Sequence, residues 1–311
     1  MQPVTHALVM TAGLGTRLRP LTDRRAKPAI PVAGEPMIRR ILTWAAGHGI
    51  ADAVMNLHHL PETVTAAVGD GKDLGLRARY SWEQPQILGS AGGPRLALPI
   101  VGADTFFIIN GDTLTDMNLV EMAQAHRSSG ARVTLAVVPN REFSKYGGVV
   151  VDDESRVTGF VPRGAGAEGS WHFIGVQVAD ASVFASLPVH TAASSIGGVY
   201  DRLLRETPGS VRAHRGAWAF FDVGTPGDYL RTTLAFSASG VDAGRRTRVD
   251  PSARVTRTVL WDDIDVGPGA SLDDCVVTDG VRVPSGAAYR RSILMMGDQG
   301  LIASSIETGN G

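Results

Sequence analysis

Two aspartates stand at the ends of apolar runs. Asp112 follows Phe106-Phe107-Ile108-Ile109-Asn110-Gly111, and Asp222 closes Trp218-Ala219-Phe220-Phe221. An unbroken apolar run stopped by Gly-Asp reads as a buried strand entering a loop, and open α/β sheets take their ligands at that strand edge. Two carboxylates at two strand ends suit one hard cation, and Mg²⁺ is the natural candidate because it links acidic side chains to phosphate oxygens. A lone Asn-Gly-Asp more commonly just caps a turn. The loop Ala12-Gly13-Leu14-Gly15-Thr16-Arg17 adds a second signal, with Lys27 ten residues beyond Arg17. Its glycines let backbone N–H groups approach an anion. The spacing is not that of a P-loop, and Leu18 stands where a dinucleotide fold needs its third glycine. Two cations beside a nest of amides suit a triphosphate. Alone, a Gly-x-Gly turn is more often structural.

The elements that must position these residues alternate as in a layered α/β domain. Thr5–Met10, Ala53–Leu57, Arg77–Trp82, residues 106–110 and Val133–Val138 read as strands. Met37, Ile38, Ile41, Leu42 and Ala45 fall on one face of a helix over 36–46, with Pro36 suited to its first turn. Glu62–Val68 and Leu119–Ser129 are further helices. From about 140 to 220 shorter strands follow: Gly148–Val151, Val157–Val161, Trp171–Val178, Val211–Arg215 and Ala217–Phe221, interrupted by a helix near Val199–Glu206. They read as an antiparallel extension covering one side of the main sheet.

After residue 240 the pattern changes. Val249 to Val255, Val266 to Leu272 and Val283 to Tyr289 each place large apolar residues six apart with a small residue fifth. That period implies a parallel β-helix of about two coils, suited to packing or homo-oligomerisation. The expected domains are 1–238, carrying the chemistry, and 239–311, the repeat tail.

Composition excludes several classes. Lys and Arg number 30 against 31 Asp and Glu, a formal net charge of −1, which argues against a general nucleic-acid binder. No apolar run reaches the roughly 18 residues of a membrane span, and Met1–Met10 has no secretory pattern. Cys275 is the sole cysteine, so no internal disulfide or thiolate zinc cluster forms. The expected location is cytoplasmic.

Taken together, Met10-Thr-Ala-Gly-Leu-Gly-Thr-Arg-Leu-Arg-Pro20, Lys27-Pro28 and Pro31-Val-Ala-Gly-Glu-Pro-Met37 resemble the N-terminal motif of the sugar-1-phosphate nucleotidyltransferases. Leu88-Gly-Ser-Ala-Gly92, Asn110-Gly-Asp112, Lys145-Tyr-Gly-Gly148 and Phe221-Asp-Val-Gly-Thr-Pro226 resemble further motifs of that family, in the family's order. The likeness covers residues 5 to about 235. It implies a Rossmann-like mixed α/β sheet flanked by helices, and the tail resembles the short left-handed β-helix that many members carry.

The resemblance also implies roles. Arg17 and Lys27 would bind the nucleotide phosphates with the amides of Gly13, Gly15 and Thr16. Asp112 and Asp222 would hold Mg²⁺. Gln84, Gly89 and Ser90, with Ala12 and Gly13, would border the base. Gly148, His172, Ile174 and Gly175 would line the sugar pocket. Many relatives carry Glu-Lys-Pro near position 160, with the Lys on the sugar phosphate; here the run is Phe160-Val-Pro-Arg163, leaving Arg163 or Lys145 as the substitute clamp. The reaction implied joins a nucleoside triphosphate to a sugar 1-phosphate and releases pyrophosphate. GTP with mannose 1-phosphate is the best-fitting pair, ahead of uridylyl or thymidylyl transfer to another hexose 1-phosphate. A regulatory subunit without catalysis is the competing class, but it has little need of both metal carboxylates. A hexapeptide acyltransferase is excluded, since no His follows His214.

Overall fold

The computed structural model describes residues 3–237 and 240–306. Its contacts group the chain into two compact units. One comprises the residues up to Leu14 and Ile38–Phe221; the other comprises Gly15–Met37 and the chain from Asp222 onward.

The first unit is built on a nine-stranded mixed sheet. Its strands are β1 (His6–Met10), β2 (Asp52–Leu57), β3 (Arg77–Trp82), β4 (Thr105–Asn110), β5 (Val133–Pro139), β6 (Gly148–Val151), β7 (Val157–Val161), β8 (Trp171–Asp180) and β9 (Val211–Arg215). The order β3-β2-β1-β4 is wholly parallel, as its crossover helices require. β8 then pairs antiparallel with both β4 and β5, while β9 returns parallel to β5. Phe106, Phe107, Ile108 and Ile109 are all buried, which explains the unbroken apolar run: this strand is covered on both faces. Leu8, Val54, Leu135 and Val137 complete the sheet's packing, and Tyr200 buries its hydroxyl by donating to Gln177 Oε1 at 2.6 Å.

The helices are α1 (Met37–Gly47), α2 (Pro61–Val68), α3 (Gly89–Val101), α4 (Leu119–Ser129) and α5 (Tyr200–Glu206). The apolar face expected near 36–46 is observed in α1, although Pro36 ends the short strand before the helix instead of opening its first turn. Asn118 caps α4 by accepting from the amides of Val120 and Glu121. The strands after 140 correct one expectation. β6, β7, β8 and β9 join the edge of the main sheet by hydrogen bonds and do not cover its face, and β9 is parallel to its neighbour.

The second unit contains α6 (Pro226–Phe236) and a parallel β-helix. Arg248 pairs with Asp265 and Asp265 with Arg282; Arg254 pairs with Ser271 and Ser271 with Ala288. Each coil therefore advances 17 residues, and the strands stack three deep on two sides. Three coils form where about two were expected. The six-residue pattern marks only two sides of each coil; Thr258–Leu260, Val276–Val277 and the start of Ser292–Gly297 supply the third, without its small-residue signature. Val259, Val276 and Ile293 stack inside. Arg257, Asp274 and Arg291 recur at the same step with positive φ, turning one corner, where Arg257 Nε donates to Asp274 at 2.7 Å.

Candidate active site

The loop that carries Arg17 and Lys27 lies with Asp222 in the second unit. Gly15 adopts φ +61°, and a Cβ there would come within 2.7 Å of Thr22 Cγ2 and 3.3 Å of Lys27 Cβ. Only glycine meets both demands, the left-handed backbone and the close approach. The Gly15 carbonyl accepts from Leu18 N at 2.9 Å and from Thr22 Oγ1 at 3.0 Å, closing a tight turn over Thr16–Leu18. Lys27 opens another short turn and is only 9% exposed, whereas Arg17 is exposed. A second glycine closes the cluster. A Cβ at Gly224 would lie 3.1 Å from Asp222 Oδ2, 3.1 Å from Asp228 Oδ2 and 3.5 Å from Arg17 Nη1. Arg17 and Asp222, 205 positions apart in the chain, thus border one small space. Thr225 fixes the approach by capping α6: Asp228 N donates to Thr225 Oγ1, and Asp228 Oδ2 accepts from Thr225 N.

The first unit holds the remaining candidates. β1, β2, β3 and β4 end level, since Met10 pairs with both Asn56 and Asn110 and Leu57 with Trp82. Ala12, Gly13, Gln84 and Asp112 therefore follow strand ends on one edge of the sheet. A buried chain of hydrogen bonds ties that edge. Thr11 N donates to Asn56 Oδ1 at 2.6 Å; Asn56 Nδ2 donates to Glu83 Oε1 at 2.7 Å; Leu88 N donates to Glu83 Oε2 at 2.6 Å. Glu83 is fully buried, while its neighbour Gln84 is exposed. Glu83 carries no local signal in the sequence, being one carboxylate directly after β3, and it gains meaning only with Asn56 beside it. Gly93 permits this arrangement, because a Cβ there would meet Glu83 Oε1 at 2.4 Å.

Gly89 opens α3 with φ +74° and sits against the Ala193 carbonyl. Ser90 Oγ accepts from Ser195 N at 2.9 Å, so that side chain is engaged in holding the 191–195 segment. Ile174 is buried, and Gly175, at φ +81°, packs against the Asn110 side chain. Both shape the strand beside Asp112. Gly148 is buried against Ser170, and Arg163 is exposed.

His172 lies in a cavity of about 230 Å³ that also takes in Asn140, Tyr146, Trp218 and Phe220. Its ring stacks on Tyr146 at 4.1 Å between centroids and tilts toward Phe220 at 5.1 Å. Lys145 Nζ lies 4.9 Å from the Tyr146 ring centre, a cation–π contact. Burial pushes the His172 imidazole down to about 4 against a weak opposing pull from the Gly147 carbonyl, so it is neutral at physiological pH. Neither of its ring nitrogens meets a well-aligned partner among the described residues, nor does Asn140 Oδ1. Asn140 Nδ2 meanwhile reaches Ser170 Oγ at 3.3 Å. The cavity sets aromatic faces beside the uncharged polar atoms of His172 and Asn140, with Arg141 and Glu142 also on its lining.

Comparison with known proteins places this geometry. The nucleotidyl transferase family model matches residues 6–239. Mannose-1-phosphate guanylyltransferase of Mycobacterium tuberculosis is 32% identical over 92% of this chain and 83% of its own length. The N-acetylmuramate alpha-1-phosphate uridylyltransferase of Neisseria meningitidis is also 32% identical, over 70% of this chain and 93% of its own. The crystal structure of HddC from Yersinia pseudotuberculosis superposes with a TM-score of 0.65 at 19% identity, covering 75% of this chain and all of that one. The chain belongs to the nucleotidyl transferase family. Its activity is that of a sugar-1-phosphate nucleotidyltransferase. No helix among the described residues is long and apolar enough to cross a membrane.

Proposed function

We propose that this chain makes a nucleoside-diphosphate sugar and pyrophosphate from GTP and mannose 1-phosphate, or a closely related sugar phosphate. The observation that carries the reading is the second unit's loop, where Gly15 leaves room for Lys27 to pack close and Gly224 leaves room between Arg17 and Asp222. The guanylyl preference is supported by the Mycobacterium tuberculosis relative, whose likeness extends over 92% of the chain. The second reading, uridylyl transfer, is favoured by the Neisseria meningitidis relative and by a UTP–glucose-1-phosphate uridylyltransferase of Synechocystis at 28% identity.

In this reading Arg17 and Lys27 take the triphosphate oxygens together with the amides of Gly13, Gly15 and Thr16. Ala12, Gln84, Gly89 and Ser90 border the base. Gly148, His172, Ile174 and Gly175 belong to the sugar side, with Arg163 as phosphate clamp. The function-bearing stretch is 1–238, with the β-helix beyond it.

Mg²⁺ fits the donor set. Asp112 and Asp222 are partly exposed carboxylates, and no group of three or more His, Cys, Asp or Glu among the described residues could hold an ion unaided. A cation content to share its sites with phosphate oxygens matches two protein carboxylates. When bound, it supplies charge neutralisation between two polyanions. The sugar phosphate is its own nucleophile, since a phosphate monoester's second pKa is about 6. No general base is needed, which agrees with a neutral His172. The residues named act by positioning and electrostatics.

Pyrophosphate release over a grid of the five common nucleoside triphosphates and several sugar 1-phosphates tests the reading. One active pair, GTP with mannose 1-phosphate, is expected. Activity only with UTP moves the base assignment to the second reading, and silence with every pair overturns both.

A further inference from the structure

The β-helix touches the phosphate loop through a set of contacts that are more than surface packing. Arg25 lies two residues before Lys27, and its guanidinium faces the coils. Arg25 Nε donates to Asp279 Oδ2 at 2.9 Å, and Nη2 donates to Asp279 Oδ1 at 2.7 Å and to Asp262 Oδ2 at 3.1 Å. The Arg25 guanidinium also lies over the Trp261 ring, 5.2 Å from its centre. Asp262 and Asp279 sit one coil apart, at the same position of the 17-residue repeat, and Asp262 N donates to Asp279 Oδ1. The arginine therefore reads two successive coils with one planar fork, which a lysine cannot do.

A second line of contacts runs beside the first. Trp261 is buried, and its Nε1 donates to Tyr229 Oη at 2.8 Å; Tyr229 Oη donates in turn to the Pro31 carbonyl at 2.6 Å. Pro31 belongs to the same loop, four residues after Lys27. Gly34 N donates to Asp242 Oδ2 at 3.1 Å, and Arg24 reaches the Met296 carbonyl. Lys27 is thus bracketed: Arg24 and Arg25 are held before it, and Pro31 and Gly34 after it, all by groups beyond residue 228. The contact grouping agrees, because Gly15–Met37 clusters with the chain from Asp222 onward.

We infer that the β-helix is a brace for the triphosphate-binding loop, and that Arg25 is a positioning residue which sets the Arg17–Lys27 segment through Asp262, Asp279 and Trp261. It rests on the nucleotidyl-transfer reading for the identity of the loop's ligand. A loop that must place two cations on one triphosphate gains most from being fixed beforehand, since misplacement of about 1 Å costs up to about a hundredfold in rate. The neighbouring aspartates make Arg25 itself unavailable to phosphate, so its effect on the nucleotide travels through the loop.

The test uses the full chain with Arg25→Met, Arg25→Lys, Asp279→Asn and the Arg25→Met/Asp279→Asn pair. Equilibrium binding of GTP and of UTP with Mg²⁺ is measured without sugar phosphate, beside steady-state kinetics in both substrates and thermal unfolding. The brace predicts that Arg25→Met weakens triphosphate binding and raises its KM by about tenfold or more, with the sugar 1-phosphate KM within about twofold. Arg25→Lys should recover little of this, and the double variant should lose no more than the worse single one. Unchanged triphosphate binding in a folded Arg25→Met protein overturns the inference, as does an equal rise in both KM values. Should Arg25→Met fail to fold, Trp261→Phe keeps a ring under Arg25 while removing the bond to Tyr229 and part of the buried ring volume; the same selective loss of triphosphate binding is expected, and its absence counts against the brace. Wild-type protein that binds triphosphate but turns over no pair would sink the nucleotidyl-transfer reading while leaving the binding comparison to decide the brace.

Discussion

The phosphate loop and the aromatic basket solve opposite problems. Around Arg17 and Lys27 the chain fixes charge: two glycines admit close approach, and Thr22 and Leu18 close the turn. Around His172 the chain keeps the imidazole itself uncharged, stacking it on Tyr146 and leaving its nitrogens and Asn140 Oδ1 without well-aligned partners among the described residues, while Arg141 and Glu142 stand on the same cavity's lining. Phosphate recognition needs cations whose positions do not depend on which sugar is bound. In the proposed reading the His172 cavity takes the sugar, which needs a surface that is apolar on one face and offers a few donors and acceptors. The comparison predicts that changes at the loop act on the triphosphate and on rate, while changes in the basket act on which sugar is accepted.

The largest break in that division comes from the carboxylates. Asp222→Asn and Asp112→Asn should each lower turnover by about a thousandfold or more with the fold retained, because in the proposed reading each removes a carboxylate that would hold Mg²⁺. Pyrophosphate release beside a far-ultraviolet circular dichroism spectrum decides this. Near-normal activity in a folded variant would remove that aspartate from the mechanism.

Gly15→Ala sharpens the loop side. It forces a Cβ into a left-handed residue and against Thr22, at a cost of about 1–3 kcal/mol. The expected outcome is a raised triphosphate KM with the sugar KM little changed. Equal shifts in the two would show that the loop does not act on the triphosphate alone.

On the basket side, His172→Phe keeps the stacked shape and removes both nitrogens. Ratios of kcat/KM between two sugar 1-phosphates should shift by about tenfold, the scale of one polar contact, with the triphosphate KM unmoved. An unaltered preference order would place sugar selection elsewhere.

The smallest effect is in pH. The folded imidazole titrates near 4 and an unfolded one near 6.5, so between those values the unfolded chain binds more protons. The His172 contribution is fully present above about pH 6.5 and is lost as pH falls toward 4. Melting temperature should therefore drop more steeply over that window in the wild type than in His172→Phe. Identical slopes would mean the ring is not held neutral by burial.

How much of this could be read beforehand depended on whether the signal was local. Strand β4 and the face of α1 were legible because continuous and 3.6-spaced apolar residues encode burial directly. Two helices escaped notice. α3 carries Gly92, Gly93, Pro94 and Pro99, residues that disfavour helix in isolation, and it is kept by close packing of Gly93 on Glu83 and of Gly92 on the 191–193 segment. α6 did have its signature, Thr225-Pro-x-Asp228, but it was absorbed into the motif around Asp222. The two cations of the 12–27 segment were conspicuous in the sequence, since Arg17 and Lys27 lie ten positions apart beside a Gly-x-Gly turn. The basket was legible only in part: His172 stands out in the sequence, but Tyr146, Trp218 and Phe220 join it from 26, 46 and 48 positions away, with no local pattern to link them.

The clasp between Arg25 and the coils also has a consequence in time. Its partners at Asp262 and Asp279 lie 237 and 254 positions further along the chain. Contacts of such separation close the longest loops in a fold and so form after local structure is in place. Residues 15–37 are made early, yet the bidentate hold on Arg25 waits until Asp279 has been made. During synthesis the β-sheet strands β1, β2 and β4 can pair while the triphosphate loop is still without its brace. A ribosome halted before Trp261 would therefore carry a chain with its sheet sequence complete and its Arg25 contacts to the coils entirely unmade.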